Sequence, residues 1–233
     1  MKDVYWLEQT EADVPVHNDW LAPAEALRLA GLSVPKRRAD WRLGRWTAKR
    51  AVAACLELPG DHKALAEIEI RPAPSGAPLV SIANRSAQVG ISLSHGSGMA
   101  VCAVAFSPVV LGCDIEKIEP RSQAFAADYF TSEEQTLVAQ SPLADRDRLL
   151  TLLWCGKESA LKALQSGLRL DTRAVVVSPE QLPVGPGGWR PLQVRCEDGK
   201  VFHGLWQQTA GFIETLISAP PPNEPIRLES RLR

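Results

Sequence analysis

LLWCGKESALKAL, residues 152–164, reads as a helix of leucine, alanine and tryptophan into which two lysines and a glutamate have been set. At about 100° per residue, Leu149, Leu150, Leu152, Leu153, Trp154, Ala160, Leu161 and Leu164 form one wide apolar arc. Lys157 falls near the middle of that arc. A buried ammonium costs several kcal/mol unless it meets an anion or reaches water, so the pattern predicts a helix that borders a polar cleft. Glu158 and Lys162, at i and i+4 beside the edge of the arc, read either as an ordinary helix-face ion pair or as part of the same cleft.

Some forty residues upstream stands VVLGCDIEKIEPR, residues 109–121. Read as a strand, it points Asp114 and Glu116 from one face and Cys113 and Ile115 from the other. Two carboxylates so close repel, and the usual remedies are a shared proton or a bound cation. The alternative is a strand end running into a solvated, charged turn. Oxygen ligands two residues apart suit Mg²⁺, and Glu158 could bring a third from the helix.

A third constellation is basic. Arg38, Arg42, Arg45 and Lys49 recur at i, i+4, i+7 and i+11 on one predicted helix, with Trp41, Ala48, Val52 and Cys55 on another face. Such a stripe reads as a solvated helix face or as a seat for a multiply charged phosphate. SLSHGSGM, residues 92–99, adds Ser94 and a lone histidine, His95, in a Ser/Gly-rich turn whose N–H groups could also meet a phosphate. The turn matches neither a P-loop nor GxGxxG. Taken together, the residues point to a cation site beside a phosphate site, as in an enzyme acting on a phosphoanhydride.

The rest of the chain bounds these readings. With 233 residues, 45% of them apolar, it can bury a full core as one domain or two small lobes. A net charge of −1 gives no global field for nucleic acid or a membrane, so any anion site is local. The first residues carry no basic start followed by an apolar run, and the expected location is cytoplasmic. MAVCAVAFSPVVLGC is too short for a bilayer span and is interrupted by Ser107-Pro108, which predicts two consecutive strands. Five scattered cysteines without a CxxC pair read as buried thiols.

Helices are predicted over APAEALRLAGL and over residues 35–58, the second opened by Pro35 and closed by Pro59-Gly60. Short strands follow at EIEI, PLVSI, VGISLSH, MAVCAVAF and VVLGCDIE. FTSEEQTLVAQ opens on a capping box, Thr131 with Glu134. Beyond the central helix come AVVVS, LQVRC, VFHGLWQQ and GFIETLIS, again strand-like. No repeat of 20–50 residues is visible, and the proline-rich residues 221–233 are expected to form a loose tail.

GCDIE followed by WCGKESALK resembles the paired signature of the 4′-phosphopantetheinyl transferases, of the larger monomeric kind typified by the surfactin-synthetase activator. The matching residues are Gly112, Asp114, Glu116, Trp154, Lys157, Glu158, Ser159 and Lys162. SLSH resembles the family's Ser-His turn, FTSEE sits between the signatures as a comparable segment does there, and the resemblance spans roughly residues 35–170. One departure is SGAPLV, which has Ala77 where family members often carry a lysine between Gly and Pro.

The resemblance implies an α+β fold of two similar lobes forming a pseudo-dimer, each an antiparallel sheet packed with helices, with the site between them. Residues 1–108 would form the first lobe, with the coenzyme A phosphate contacts, and 109–220 the second, with the metal site and catalytic helix. It implies a monomer that moves the phosphopantetheine arm of coenzyme A to a serine of an acyl or peptidyl carrier protein, releasing 3′,5′-ADP. Such activation serves polyketide, nonribosomal peptide or fatty acid synthesis.

By the same resemblance, Asp114, Glu116 and Glu158 would hold Mg²⁺ or Mn²⁺. Lys157 and Lys162 would face the pyrophosphate, and the serine proton would go to Glu158 or to a metal-bound water. Ser94, His95 and some of Arg38, Arg42, Arg45 and Lys49 would contact coenzyme A phosphates, and Gly76 and Pro78 would shape the adenine pocket. The rival readings are a metal-dependent nucleotide pyrophosphohydrolase and a non-catalytic coenzyme A or carrier-protein binding module.

Overall fold

The computed structural model describes residues 1–180 and 188–228. The first lobe runs β1 (Tyr5–Thr10), α1 (Pro23–Ala30), α2 (Pro35–Cys55), α3 (His62–Ala66), β2 (Ile68–Pro72), β3 (Pro78–Ile82), β4 (Arg85–Ser86), β5 (Val89–Gly96) and β6 (Met99–Phe106). The second runs β7 (Val110–Lys117), α4 (Gln123–Tyr129), α5 (Ser132–Gln140), α6 (Arg146–Ala163), β8 (Val175–Pro179), β9 (Arg190–Cys196), β10 (Val201–Thr209) and β11 (Phe212–Ala219). The two paths are alike. A strand leads into helices, the longest helix crosses the sheet, and an antiparallel series of strands returns until its last member pairs with the first, β6 with β1 and β11 with β7. In the second lobe this gives one sheet, β7-β11-β10-β9-β8, whereas in the first the return is split into β2-β3-β4 and β5-β6. The fold is thus α+β with two similar lobes, as the resemblance implies.

Three apolar clusters account for the packing. One lies between α2 and the first lobe's sheets, a second between α6 and the second lobe's sheet, and a third joins the two sheets through Val4, Trp6, Val101, Ala103, Cys113, Ile115 and Leu216. Burying both faces of β6 explains its near-continuous apolar sequence, MAVCAVAF, whereas β7 is apolar on the face it turns to the other sheet. β7 therefore alternates as predicted, with Cys113 and Ile115 in the shared core and Gly112, Asp114 and Glu116 toward α6. Gly112 is required there: a Cβ on it would stand 1.9 Å from the Ser159 carbonyl oxygen, so only glycine lets α6 cross this close to the acidic strand.

The tail differs from expectation. It is tied down as far as Leu228, because the N–H groups of Ile226 and Leu228 donate to the carbonyls of Val4 and Trp6. β12 (Ile226–Arg227) adds a parallel edge strand to β1, which satisfies backbone groups a loose tail would leave to water. Only 229–233 of the predicted loose segment lie outside the described residues. Four of the five cysteines are buried and all five are free thiols, in line with the sequence reading. No helix among the described residues is long and apolar enough to cross a membrane.

Candidate functional site

The crossing of α6 over β7 assembles the acidic part of the site. Asp114 is buried, and its Oδ1 accepts from Ser94 Oγ at 2.6 Å and from Lys162 Nζ at 2.7 Å. Its Oδ2 is buried without a hydrogen-bond partner. Glu116, half-buried, accepts from Trp154 Nε1 at 3.0 Å on one oxygen and from Arg121 Nη2 at 2.8 Å on the other. Glu158 is half-buried on α6 and forms no hydrogen bond among the described residues. Burial and then the Asp114 charge push the pKa values of both Glu116 and Glu158 above the ordinary carboxylate value, against the opposing pull of Arg121 on the one and Lys162 on the other. The Glu158–Lys162 helix pair read from the sequence does not form, because Lys162 turns to Asp114 and to the Cys113 carbonyl. Burial is the largest single influence and disfavours its charge, but Asp114, Cys113 and Glu158 together outweigh it and hold the ammonium pKa above normal.

These acids fit a cation. An unpartnered, buried carboxylate oxygen is costly unless something positive completes it, and burial followed by the Asp114 charge holds both Glu116 and Glu158 at raised pKa. Among the described residues no three Asp, Glu, His or Cys side chains stand gathered as a ready cage. Mg²⁺ needs none, since it keeps several waters and takes one or two carboxylates together with phosphate oxygens.

Lys162 also lines a cleft of about 930 Å³ between the lobes. Its walls include Arg45 and Trp41 of α2, Gly76 and Pro78 from the β2–β3 turn, Ser92 and Leu93 of β5, and Gln165 beyond α6. Arg45 stacks on Trp41 at 4.9 Å and donates to the Ile70 carbonyl, while its Nε is buried without a hydrogen bond. His95, at the end of β5, lays its ring edge against α2 where a Cβ on Gly44 would come within 2.7 Å. Desolvation there lowers the imidazole pKa below its ordinary value, with Asp40 opposing and Lys162 among the nearby cations.

Four expected ligand contacts are not made. Lys157 does not face the cleft: its ammonium is fully buried in the second lobe, 2.8 Å from Glu134 Oε2, and donates to the carbonyls of Thr172 and Val175. The anion that the apolar arc required is supplied by the chain's own capping glutamate. Lys49 is likewise fully buried, paired with Glu25 and bonded to the carbonyls of Trp20 and Leu65. Arg38 donates to the carbonyls of Leu29 and Leu32, closing the end of α1. Arg42 binds Asn18 and the carbonyls of Pro15 and Val16. Only Arg45 of the stripe reaches the cleft, because the rest of that helix face is covered by the segment between β1 and α2.

The structure adds residues that the sequence reading missed. Arg28 and Arg71 line the cleft from α1 and β2, and Arg121 holds Glu116. Neither arginine of the cleft belongs to a periodic pattern, but Arg121 stands inside the acidic motif's own segment, two residues past Glu119.

Residues 110–197 match the sequence model of the 4′-phosphopantetheinyl transferase superfamily, a stretch that takes in both GCDIE and WCGKESALK. Proteins named holo-[acyl-carrier-protein] synthase from Streptococcus agalactiae serotypes III and V are each 32% identical over 84 residues, covering 36% of this chain and 71% of theirs. A crystal structure of a holo-(acyl-carrier-protein) synthase from Bacillus anthracis str. Ames, in complex with CoA (3′,5′-ADP), is 21% identical. It aligns over 45% of this chain and 94% of its own, with a TM-score of 0.38.

Proposed function

Since the chain belongs to the 4′-phosphopantetheinyl transferase superfamily, we propose that it moves the phosphopantetheine arm of coenzyme A onto a serine hydroxyl of an acyl or peptidyl carrier protein, releasing 3′,5′-ADP. The observation that carries this reading is Lys162, which joins an interlobe cleft lined by Arg28, Arg45 and Arg71 to Asp114, a buried carboxylate with one unsatisfied oxygen beside the half-buried Glu116 and Glu158. The length and the two-lobed path support the larger monomeric type, in which one chain supplies both sides of the cleft. A cytoplasmic setting is part of the same proposal.

In this mechanism Arg45, Arg28 and Arg71 would bind the phosphates of coenzyme A along the cleft, and the Gly76–Pro78 turn would close over its nucleotide. Lys162 would bring its ammonium to the pyrophosphate while Asp114 keeps it charged and oriented. Asp114, Glu116 and Glu158 would hold a divalent cation, Mg²⁺ or Mn²⁺, whose chemistry is to neutralise the pyrophosphate and polarise the phosphorus under attack. Glu158, without a hydrogen bond among the described residues and with its pKa raised, would take the serine proton as the serine oxygen bonds to phosphorus and the nucleotide phosphate leaves. Ser94 and Trp154 fix the rotamers of Asp114 and Glu116.

Intact-mass spectrometry of an apo carrier protein incubated with the enzyme, coenzyme A and Mg²⁺ tests the reading. The expected result is a gain of one phosphopantetheine mass, dependent on metal, with Glu158→Gln slowed by on the order of 10²–10⁴. Cleavage of coenzyme A without carrier modification would replace the transferase by a hydrolase, and binding without either reaction would make it a binding module.

A further inference from the structure

Among the described residues, Arg121 is the one cation on the acid trio that comes from neither the cleft nor α6. It precedes Ser122, whose hydroxyl caps α4 by accepting from the Phe125 N–H. Its guanidinium sits over the Phe125 ring at 5.0 Å. Phe125 and Tyr129 each pack edge-on against Trp154 at 5.1 Å, and Trp154 holds the other oxygen of Glu116. Glu116 is therefore gripped from both sides by an arginine and an indole that share one aromatic platform. With side chains only 18% and 28% exposed, Arg121 and Glu116 form a shielded pair rather than a solvated surface one.

The charge balance follows from the contacts. Asp114, Glu116 and Glu158 carry three negative charges when ionised, while Lys162 and Arg121 supply two positive ones, leaving −1 instead of −3. A divalent cation added to a −3 site meets strong attraction; added to a −1 site it overshoots to +1, which then favours a phosphate anion beside it. The Nε of Arg121 is buried with no hydrogen bond, so Glu116 is the carboxylate on which this guanidinium depends, and a cation arriving at Glu116 must compete with that pair.

We infer that Arg121 is a built-in counter-ion that competes with the divalent cation for Glu116, keeping the cation site weak in the free enzyme so that metal is taken up together with the pyrophosphate substrate. This rests on the assignment of the acid trio as the cation site in the proposed transferase. It makes Arg121 a positioning residue, since it touches Glu116 and neither the substrate nor the reacting atoms.

The test is a titration of the substrate-free protein with Mn²⁺, reading free aquo-Mn²⁺ by electron paramagnetic resonance. Removing a positive charge about 6 Å from a divalent ion, even with water-like screening, is worth about tenfold in Kd. Arg121→Gln should therefore tighten Mn²⁺ binding about tenfold or more, while Arg121→Lys, which keeps the charge, stays near the parent and Asp114→Ala loses binding. Adding coenzyme A, which carries the pyrophosphate, should tighten the parent and leave Arg121→Gln nearly unchanged. Unchanged or weaker binding by Arg121→Gln overturns the inference, as does equal tightening by Arg121→Lys. The carrier-modification assay is read separately: its failure with the Mn²⁺ pattern intact sinks the transferase reading alone.

Discussion

Glu214 offers a pH dependence that can be worked from its surroundings. It lies fully buried on β11, on the face that meets the first lobe, where its oxygens accept from Gln207 Nε2 at 2.6 Å and Thr209 Oγ1 at 2.8 Å. Opposite it stands Glu8 of β1, itself held by Trp6 Nε1 and Arg227. Burial, then the Glu8 charge, raise the Glu214 pKa from 4.5 to about 7, with Gln207 and Thr209 pulling the other way. The folded protein thus binds this proton more tightly than the unfolded chain does. Stability from the protonated carboxyl is fully present below 4.5 and is lost as pH rises through about 7. At about 1.4 kcal/mol per pH unit, the interval amounts to about 3 kcal/mol between pH 4.5 and 8. Glu214→Gln mimics the protonated form and removes the charge, so urea unfolding should show its stability relative to the parent increasing by up to about 3 kcal/mol from pH 5 to pH 8. A difference between the two proteins that stays flat over this range would refute the raised pKa of Glu214 at the lobe interface.

Lys157→Met should cost about 3–5 kcal/mol of stability in urea unfolding, because it strands Glu134 as a buried charge, while the KM for coenzyme A of the folded enzyme is unchanged. Full stability with lost activity would return Lys157 to the cleft. Arg45→Ala should raise the KM for coenzyme A roughly tenfold with little change in kcat, whereas Arg42→Ala, whose partners are Asn18 and backbone carbonyls, should leave KM alone. Equal effects from both would restore the reading of the stripe as one phosphate site.

What could be read from the sequence was whatever depends on a period and a local partner. The alternation of β7 placed Asp114 and Glu116 on one face without any knowledge of the helix beyond, and the capping box at Thr131 is formed as spaced. The basic stripe failed for the converse reason. Periodicity gathers Arg38, Arg42, Arg45 and Lys49 on a face but cannot say what covers it, and here residues 15–32 cover it with backbone carbonyls that need donors. Lys157 shows a subtler limit. The inference that a lysine in an apolar arc must find an anion was sound, yet Glu134 had been assigned to its cap, and a carboxylate has capacity for both: it accepts from Thr131, Lys157 and the Val177 N–H together.

The two lobes separate fold-making residues from chemical ones. In each, a Trp-x-x-Lys on the long helix, Trp46 to Lys49 and Trp154 to Lys157, buries its lysine against the third residue of a preceding helix, Glu25 or Glu134. That glutamate caps its own helix through Ala22 N–H or Thr131 N–H, and its other oxygen accepts from a strand amide of the same lobe, Ile70 in β2 or Val177 in β8. The lysine is completed by two carbonyls in both places. The repetition is not visible as a sequence repeat because few positions carry it and their spacings differ by one or two residues between the lobes. A device present twice cannot be explained by a single cleft, so the buried lysines are fasteners of helix to sheet. What is not repeated stands beside them. The residue after the lysine is Arg50 in the first lobe and Glu158 in the second, and β1 turns Leu7 into the core under α2 where β7 turns Asp114 toward Lys162. The unrepeated residues Glu158 and Lys162 are the ones that face Asp114, whereas Lys157 serves the fastening of helix to sheet.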